Sequence, residues 1–188
     1  MSTTFMKAAI LFCFAAPSVM AQSDAYWEIR PMAGVAVPTG AHRSAFGTTS
    51  FVGAQTSIRL TTDVDLVGSF AWQPSTARYP ADDGHANVFV YSFGLERMMR
   101  AHQSGTPGLI SFAGAGLGGR AFDFHSSVLS SEACYSGYVN GGVGYERPRS
   151  TVRLEMRDHL FCYKRPVAPR DQTTHNELSL SLGFGVRF

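Results

Sequence analysis

The chain is patterned most strictly in residues 175–188, where apolar and polar positions alternate without interruption. The even positions from Leu178 to Phe188 are all apolar, and the odd positions between them are polar, charged or glycine. Because successive side chains of a strand point to opposite faces, this period of two predicts a β-strand with one apolar and one polar face.

Similar alternation recurs in seven earlier segments, which are separated by stretches containing Pro, Gly, Asp and Ser. Short connections such as 61–63 require antiparallel neighbours, since a parallel crossover needs a dozen residues or more. The pattern therefore predicts eight antiparallel strands over residues 25–37, 50–60, 64–72, 87–97, 109–122, 135–145, 151–161 and 175–188.

Two segments are less regular than the others. Pro31 lies on the apolar face of the first strand, where a bulge would absorb it. The glycine-rich fifth segment has no clear parity. We favour a polar face made by Gly114, Gly116, Gly118 and Arg120, because the other face then carries alanine and leucine.

The lengths of the connections predict which rim of the sheet carries the long loops and which carries the short turns. After the first, third, fifth and seventh strands they are long and polar, and after the second, fourth and sixth they are shorter, although 98–106 is only moderately so. Long loops on one rim and short turns on the other are typical of outer-membrane barrels, whose termini both lie on the short-turn side.

Alternation alone does not decide which face is inside, and a periplasmic soluble barrel with its apolar face inward is the rival interpretation. The polar face mixes opposite charges with Gly and Ser, which fits an eight-stranded interior that side chains just fill and in which buried charge must be paired. The predicted interior charge network is Glu28, Arg30, Arg59, Glu96, Arg120, Arg153, Glu155, Arg157 and Glu177, with Asp65 and Arg187 on the same face.

The apolar face carries aromatic residues near the strand ends, as the girdles of membrane barrels do. These residues are Trp27, Trp72, Tyr135, Tyr145 and Phe188. We therefore predict an all-β fold, an eight-stranded antiparallel up-and-down transmembrane β-barrel that occupies residues 22–188 as one domain.

Residues 1–21 predict a cleavable signal peptide, with one positive charge at Lys7, a short apolar run, and small residues at Val19 and Ala21. An uncleaved anchor is the alternative. Without Lys7 the 16 basic and 14 acidic residues of the chain leave a formal charge of +1, which argues against nucleic-acid binding. No cofactor is expected, and we expect a monomer.

Two cysteines, Cys134 and Cys162, remain after the signal peptide and form a candidate disulfide in an exported, oxidising compartment. A hairpin centred on residues 148–149 places them one step out of register, and strict alternation places them on opposite faces. A bond between them would need a bulge or a frayed strand end.

The closing strand, ending on Phe188, resembles the terminal signal of Gram-negative outer-membrane proteins. The chain from residue 22 is similar to small outer-membrane barrels of the OmpA, OmpX and OmpW type. The resemblance implies export through the periplasm to the bacterial outer membrane, with the barrel-assembly machinery and outer-membrane lipid as partners and Phe188 as an assembly signal. In contrast to the full-length OmpA architecture, we expect no periplasmic peptidoglycan-binding domain after Phe188.

Two groups of residues outside the strands carry candidate chemistry. His125, Ser126 or Ser127, and Glu132 supply the parts of an acyl-transfer triad, although solvated loop residues are the simpler interpretation. Phe46 and Tyr79 are candidates for an exposed apolar surface on one rim that binds a partner. The loop residues His42, His85, His102, Asp82, Asp83 and Asp171 show no metal-ligand spacing.

The charged stripe itself has two interpretations, a salt-bridged plug or a narrow polar pathway gated by switching ion pairs. We therefore expect a non-enzymatic structural or surface-interaction protein of the cell envelope. A narrow porin-like channel or carrier for small or hydrophobic molecules is the first alternative, and a lipid-modifying enzyme is the second.

Overall fold

The structure, a computed structural model, describes residues 27–39, 46–76, 85–101, 106–124, 132–164 and 172–188. Residues 1–21, the predicted signal peptide, lie outside these ranges. The described residues form eight strands and no helix long and apolar enough to cross a membrane. The strands are β1 (Trp27–Thr39), β2 (Thr49–Arg59), β3 (Val64–Thr76), β4 (His85–Arg100), β5 (Gly108–Phe124), β6 (Glu132–Arg147), β7 (Ser150–Lys164) and β8 (Gln172–Arg187).

Each strand pairs antiparallel with the next, and β1 pairs with β8 to close the barrel. Following the residue pairs once around the barrel returns to β1 ten residues farther along, which is the shear of the barrel. With ordinary strand spacings this shear gives a tilt of roughly 40° and a backbone radius of about 8 Å. The predicted fold is confirmed, and its interior has room for little besides side chains.

The apolar face of every strand lies outside. In β8 the exposed fraction is 59% for Leu182 and 52% for Phe184, whereas Glu177 and Arg187 are buried. The parity favoured for β5 is also confirmed, because Arg120 is fully buried and Leu117 is 63% exposed. A soluble barrel with an apolar core would show the opposite arrangement.

Six of the eight strands are longer than the alternation predicts, whereas β1 and β2 have the predicted lengths. β3 continues past Trp72 to Thr76, with Gln73 and Ser75 facing inward, and its pairing with β4 runs through Pro74. β4 likewise continues through Met98 to Arg100. The prediction was wrong at these ends because polar and proline residues were taken as loop, although polar residues belong inside this barrel.

The longer strands shorten the connections. The rim at which β1, β3, β5 and β7 end is called here the loop rim, and the rim at which β2, β4 and β6 end is called the turn rim. The connection 101–107 has the same length as 125–131, so the predicted contrast between long and short connections does not hold after β4.

Pro31 produces no bulge in β1. Its pairing with β2 is continuous, with Ile29 opposite Thr56 and Pro31 opposite Ala54. On the β8 side the pairs are interrupted at residues 30–31 and resume in the same register at Met32. Because proline has no backbone N–H, pairing with β8 is lost locally, but the register of β1 does not change.

Candidate functional site

The candidate site is the charged interior, and its first layer lies at the turn rim around Glu146. This fully buried carboxylate accepts a hydrogen bond from Nη1 of Arg187 and one from Nε of Arg100 at 3.0 Å. Nη2 of Arg59 lies 3.9 Å from it. Arg59, Arg100 and Arg187 each end a strand at this rim, so one carboxylate joins three strand ends.

Glu28 forms the next layer. Its carboxylate accepts hydrogen bonds from the guanidinium group of Arg30, from Nε of Arg187 at 2.9 Å and from the hydroxyl of Thr151 at 2.7 Å. Arg187 thus bridges Glu28 and Glu146, which couples the second layer to the first.

Arg153 of β7 lies two strands from Glu28 of β1 and is buried to 2% exposure. Its Nη1 donates to Oε2 of Glu96 at 2.7 Å, and its Nη2 lies 4.0 Å from Oδ2 of Asp65. The guanidinium carbon of Arg153 lies 4.5 Å from the ring centre of Phe112. A cation stacked on an aromatic ring while paired with a carboxylate is well suited to a site without water.

Glu155 connects these layers at the centre of the barrel. It accepts hydrogen bonds from Nε of Arg157 at 2.8 Å, from Nε2 of Gln55 at 2.9 Å and from Nδ2 of Asn140 at 3.1 Å. Asn140 also donates to Glu96 at 2.7 Å, and Gln55 accepts from Arg30. The central network is therefore continuous from Glu146 to Arg157.

A separate ion pair lies nearer the loop rim. Nη2 of Arg120 donates to Oε1 of Glu177 at 2.6 Å, and Gln73 donates to the same oxygen at 3.2 Å. The guanidinium group of Arg120 stacks at 4.2 Å on the ring of Phe161. We call Arg120, Glu177 and Gln73 the upper pair, and the hydrogen-bonded group from Glu146 to Arg157 the central network.

An apolar cluster packs inside the barrel, nearer the loop rim than the upper pair. Phe122 stacks on Phe124, Phe161 and Phe46 with ring-centre distances of 5.7–6.3 Å. Phe46 belongs to the connection between β1 and β2 and is only 2% exposed. The prediction that Phe46 forms part of an exposed apolar binding surface is therefore wrong, because its ring packs inside the barrel mouth. Tyr79 lies outside the described residues.

A cavity of about 20 Å³ lies between the central network and the upper pair. Both clusters contribute to its walls, through Glu155 and Arg157 below and Gln73 above. Its lining residues are Met32, Phe51, Gln55, Ser69, Ala71, Gln73, Val90, Glu155, Arg157, His159, Ser179 and Ser181.

All nine residues predicted for the charge network lie inside the barrel, and each of them makes at least one ion pair. Glu146 and Arg100 were missed, because their strands were ended one to three residues too early. The signal that finds them is the parity itself, which continues inward through Met98, Arg100 and Glu146.

The candidate disulfide is absent from the structure, in which Cys134 and Cys162 are both free. Cys134 packs against the phenylalanine cluster inside, and Cys162 is exposed outside. The strands keep their regular register here, with Arg120 opposite Cys134 and Cys162 opposite Thr174, so no bulge turns the two thiols toward each other.

The remaining candidates are placed only in part. His125, Ser126, Ser127, His42, His102, Asp82, Asp83 and Asp171 lie outside the described residues. Glu132 and His85 begin β6 and β4 at the loop rim. Within the described ranges no group of three or more His, Cys, Asp or Glu side chains has an arrangement suited to a metal ion.

No protein-family model and no curated protein matches the chain. Solved structures do match its fold. The N-terminal barrel of OprF and the outer membrane protein OprG, both from Pseudomonas aeruginosa, align with TM-scores of 0.58 at 17% and 13% identity. Each alignment covers 87% of this chain, and 97% and 96% of theirs.

Two further structures align similarly. Neisserial surface protein A has a TM-score of 0.56 at 14% identity, covering 88% of this chain and all of that one. Ail of Yersinia pestis, solved with a heparin analogue, has a TM-score of 0.52 at 16% identity, covering 87% and 98%. This chain therefore has the closed eight-stranded barrel fold found in small outer-membrane proteins.

Proposed function

We propose that this protein is a non-enzymatic barrel integral to the bacterial outer membrane, with a structural or surface-interaction role in the cell envelope. The observation that carries the proposal is the inverted distribution of polarity. Leu, Val, Ile and Phe side chains cover the outside, and the arginines and carboxylates are buried and paired inside. Such a surface is stable in lipid and costly in water.

The filled interior favours a barrel that does not conduct. Among the described residues six carboxylates and seven guanidinium groups make ion pairs within a backbone radius of about 8 Å. The phenylalanine cluster adds a buried apolar layer nearer the loop rim. The cavity between the central network and the upper pair is small, at about 20 Å³.

Planar bilayer recordings test this proposal. Purified, refolded protein is expected to give no stepwise conductance above the background of protein-free membranes. Reproducible conductance steps that scale with protein concentration would overturn the structural role and favour the second candidate.

The second candidate is a narrow channel or carrier for small molecules, and it rests on the continuous polar network from Glu146 to Arg157. Exchange of partners between neighbouring ion pairs would be needed to open a path. In that case Glu146→Gln, which removes the carboxylate shared by three arginines, should change the conductance.

The proposal includes export through the periplasm and assembly through β8. Phe188 continues the outward apolar row of β8, and its ring packs 5.1 Å from that of Trp27 across the β1–β8 seam. We expect Phe188→Ala to reduce the yield of folded barrel in cells, with a smaller effect on refolding of the purified chain. Equal yields in cells would remove Phe188 as an assembly signal.

A lipid-modifying activity is tested separately. Mass spectrometry of lipid A from cells that overexpress the protein is expected to show no loss of acyl chains. Loss of chains that depends on Ser127, as judged with Ser127→Ala, would contradict the non-enzymatic assignment.

A further inference from the structure

Asp158 is an acidic residue in the outward-facing row of β7. It lies in the middle of the strand and is partly exposed, between Met156 and Leu160 of the same row. Its cross-strand partners are Val139 of β6 and Leu178 of β8, so its neighbours on all four sides are apolar. A carboxyl group in such a place within a membrane is costly unless another polar group pairs with it.

The described part of the barrel supplies no partner for this carboxylate. Within the described ranges Asp158 makes no ion pair and no side-chain hydrogen bond. The nearest outward-facing arginine there is Arg97 of β4, which lies two residues from Leu95 on the pair line of Asp158. For ordinary strand spacings Arg97 and Asp158 are on the order of 16 Å apart, and Arg97 lies about 14 Å nearer the turn rim. Two copies with the same orientation in a membrane therefore cannot pair these charges with each other either.

Asp158 is one of four polar or small residues on a line parallel to the barrel axis. At a tilt of roughly 40°, one step across a residue pair followed by two residues along the neighbouring strand moves about 8 Å along the axis with almost no sideways displacement. Such a step leads from Asp158 to Asn176 toward the loop rim and to Gly141 toward the turn rim. A second step from Gly141 leads to Ser111 of β5. All four face outward, and together they are called here the axial line.

The two sides of the axial line differ in shape. Toward β8 large apolar side chains flank the line, and toward β5 most of the flanking residues are small. The large ones are Met156, Leu178 and Leu180, and the small ones are Ala113, Ala115 and Gly137, with Val139 between them and Leu160 nearer the loop rim. A Cβ added at Gly137 would lie 3.8 Å from its nearest neighbour, so the surface there is open. A two-fold axis along the line places the large side of one copy against the small side of the other, which makes the surface self-complementary.

We propose that this wall is a dimer interface, at which two copies of the chain meet side by side along the axial line. In a two-fold dimer whose axis is parallel to the barrel axes, each residue on the line faces its own copy at the same depth. Two carboxyl groups that share a proton hydrogen-bond to each other, and two amide groups do so without one. Asp158 and Asn176 thereby gain polar partners, and hydrogen bonds of this kind stabilise association in lipid.

A second copy is favoured over other occupants because symmetry supplies it with the matching groups. Acyl chains of lipid cover the apolar flanks but offer no hydrogen-bonding group at the depth of Asp158. The dimer replaces the monomer expected from the sequence, since the alignment of Asn176, Asp158 and Gly141 depends on the register of three strands and the tilt of the barrel. The inference rests on the proposed outer-membrane location, because water would satisfy Asp158 in a soluble protein.

Disulfide cross-linking of the full-length protein in isolated outer membranes tests the interface. Gly141→Cys, made in a chain that also carries Cys162→Ser, places a thiol on the axial line. A Cβ added at Gly141 has its nearest neighbour at 3.4 Å, which is an ordinary contact, so this variant is expected to fold. We expect mild oxidation to produce a covalent product of twice the monomer mass, and a reductant to reverse it.

Gly68→Cys in the same background is the matched control. Gly68 faces outward from β3 on the opposite wall, within about 1 Å of the depth of Gly141, and a Cβ added there has its nearest neighbour at 3.5 Å. It should give little covalent dimer. Equal dimer yields from the two variants, or a cross-linked product of another mass, would overturn the interface between copies. Absence of the protein from the membrane fraction would overturn the proposed location as well, whereas membrane-bound protein that does not cross-link would overturn the interface alone.

Substitution of Asp158 separates its role from that of the apolar flanks. Added to Gly141→Cys, Asp158→Asn keeps a hydrogen-bonding pair and should retain the cross-linked dimer. Asp158→Leu removes the polar group and is favourable in lipid, so the barrel should fold while the dimer is lost. An undiminished dimer in the Asp158→Leu variant would show that the carboxyl group does not join the copies and would contradict the proposal. Compact migration of the unheated variants on gels verifies that each has folded.

Discussion

At the scale of single residues, the interior depends on carboxylates that several arginines share. Glu146 is the clearest case, because it is fully buried and contacts Arg59, Arg100 and Arg187. Removing one partner of a buried ion pair is far more damaging than replacing the whole pair, since the remaining charges stay buried without compensation.

We expect Glu146→Gln to lower the free energy of unfolding by about 3–5 kcal/mol, because three guanidinium groups lose their shared carboxylate. Urea titration of the barrel refolded into liposomes measures this change. Glu132→Gln is the matched control, because Glu132 is only partly buried at the loop rim and has no ion pair among the described residues. Similar losses in both variants would contradict the shared-carboxylate account.

Glycine is required where an interior ring lies against the wall. The ring of Tyr138 covers Gly116, and a Cβ added there would lie 2.5 Å from the ring and 2.3 Å from the carbonyl oxygen of Phe93. At Gly68, by contrast, the nearest atom would be 3.5 Å away.

Gly116→Ala should therefore destabilise the barrel by about 1–3 kcal/mol through overpacking, while Gly68→Ala should change its stability by less than about 0.5 kcal/mol. Thermal unfolding followed by heat-modifiable migration compares the two variants. If Gly68→Ala proves the more damaging of the two, the close packing inferred at Tyr138 is wrong.

At the scale of elements, the alternation predicted which face of each strand is apolar. In a strand with a period of two, the face of one residue determines the face of every other residue. The boundaries were harder. β3 runs on through Pro74, and β4 through Arg100, because pairing with a neighbouring strand outweighs the local preference of proline and polar residues for loops. Glu146 and Arg100 were missed for that reason.

Contacts between distant strands were beyond sequence reasoning. That Glu96 meets Arg153, and that Glu177 meets Arg120, follows from the shear and the lengths of side chains. The buried position of Phe46 also depends on the shape of the barrel mouth, which no local pattern of residues records.

The strand faces also predict how the two thiols react. Cys162 is exposed and Cys134 packs inside, so a maleimide should label one thiol in the folded barrel and two after unfolding without a reductant. Intact-protein mass spectrometry counts the labels. A chain that takes up no label until it is reduced would contain the disulfide and contradict the regular register at this rim.

At the scale of the whole molecule, the barrel is an inside-out arrangement in which lipid would be the solvent for the apolar face. Exposed side chains such as Phe93 at 63% and Leu182 at 59% are unfavourable in water when they are contiguous around a surface. In a bilayer the same face contacts lipid tails, which removes the free-energy cost of exposing apolar surface to water. The closed sheet also leaves no strand edge unpaired in lipid.

The most direct test of this account is the cellular location and migration of the full-length protein. The account predicts that the protein fractionates with the bacterial outer membrane, and that the unheated sample migrates on gels as a compact band that shifts on boiling. Recovery as a soluble periplasmic protein without heat-modifiable migration would contradict it.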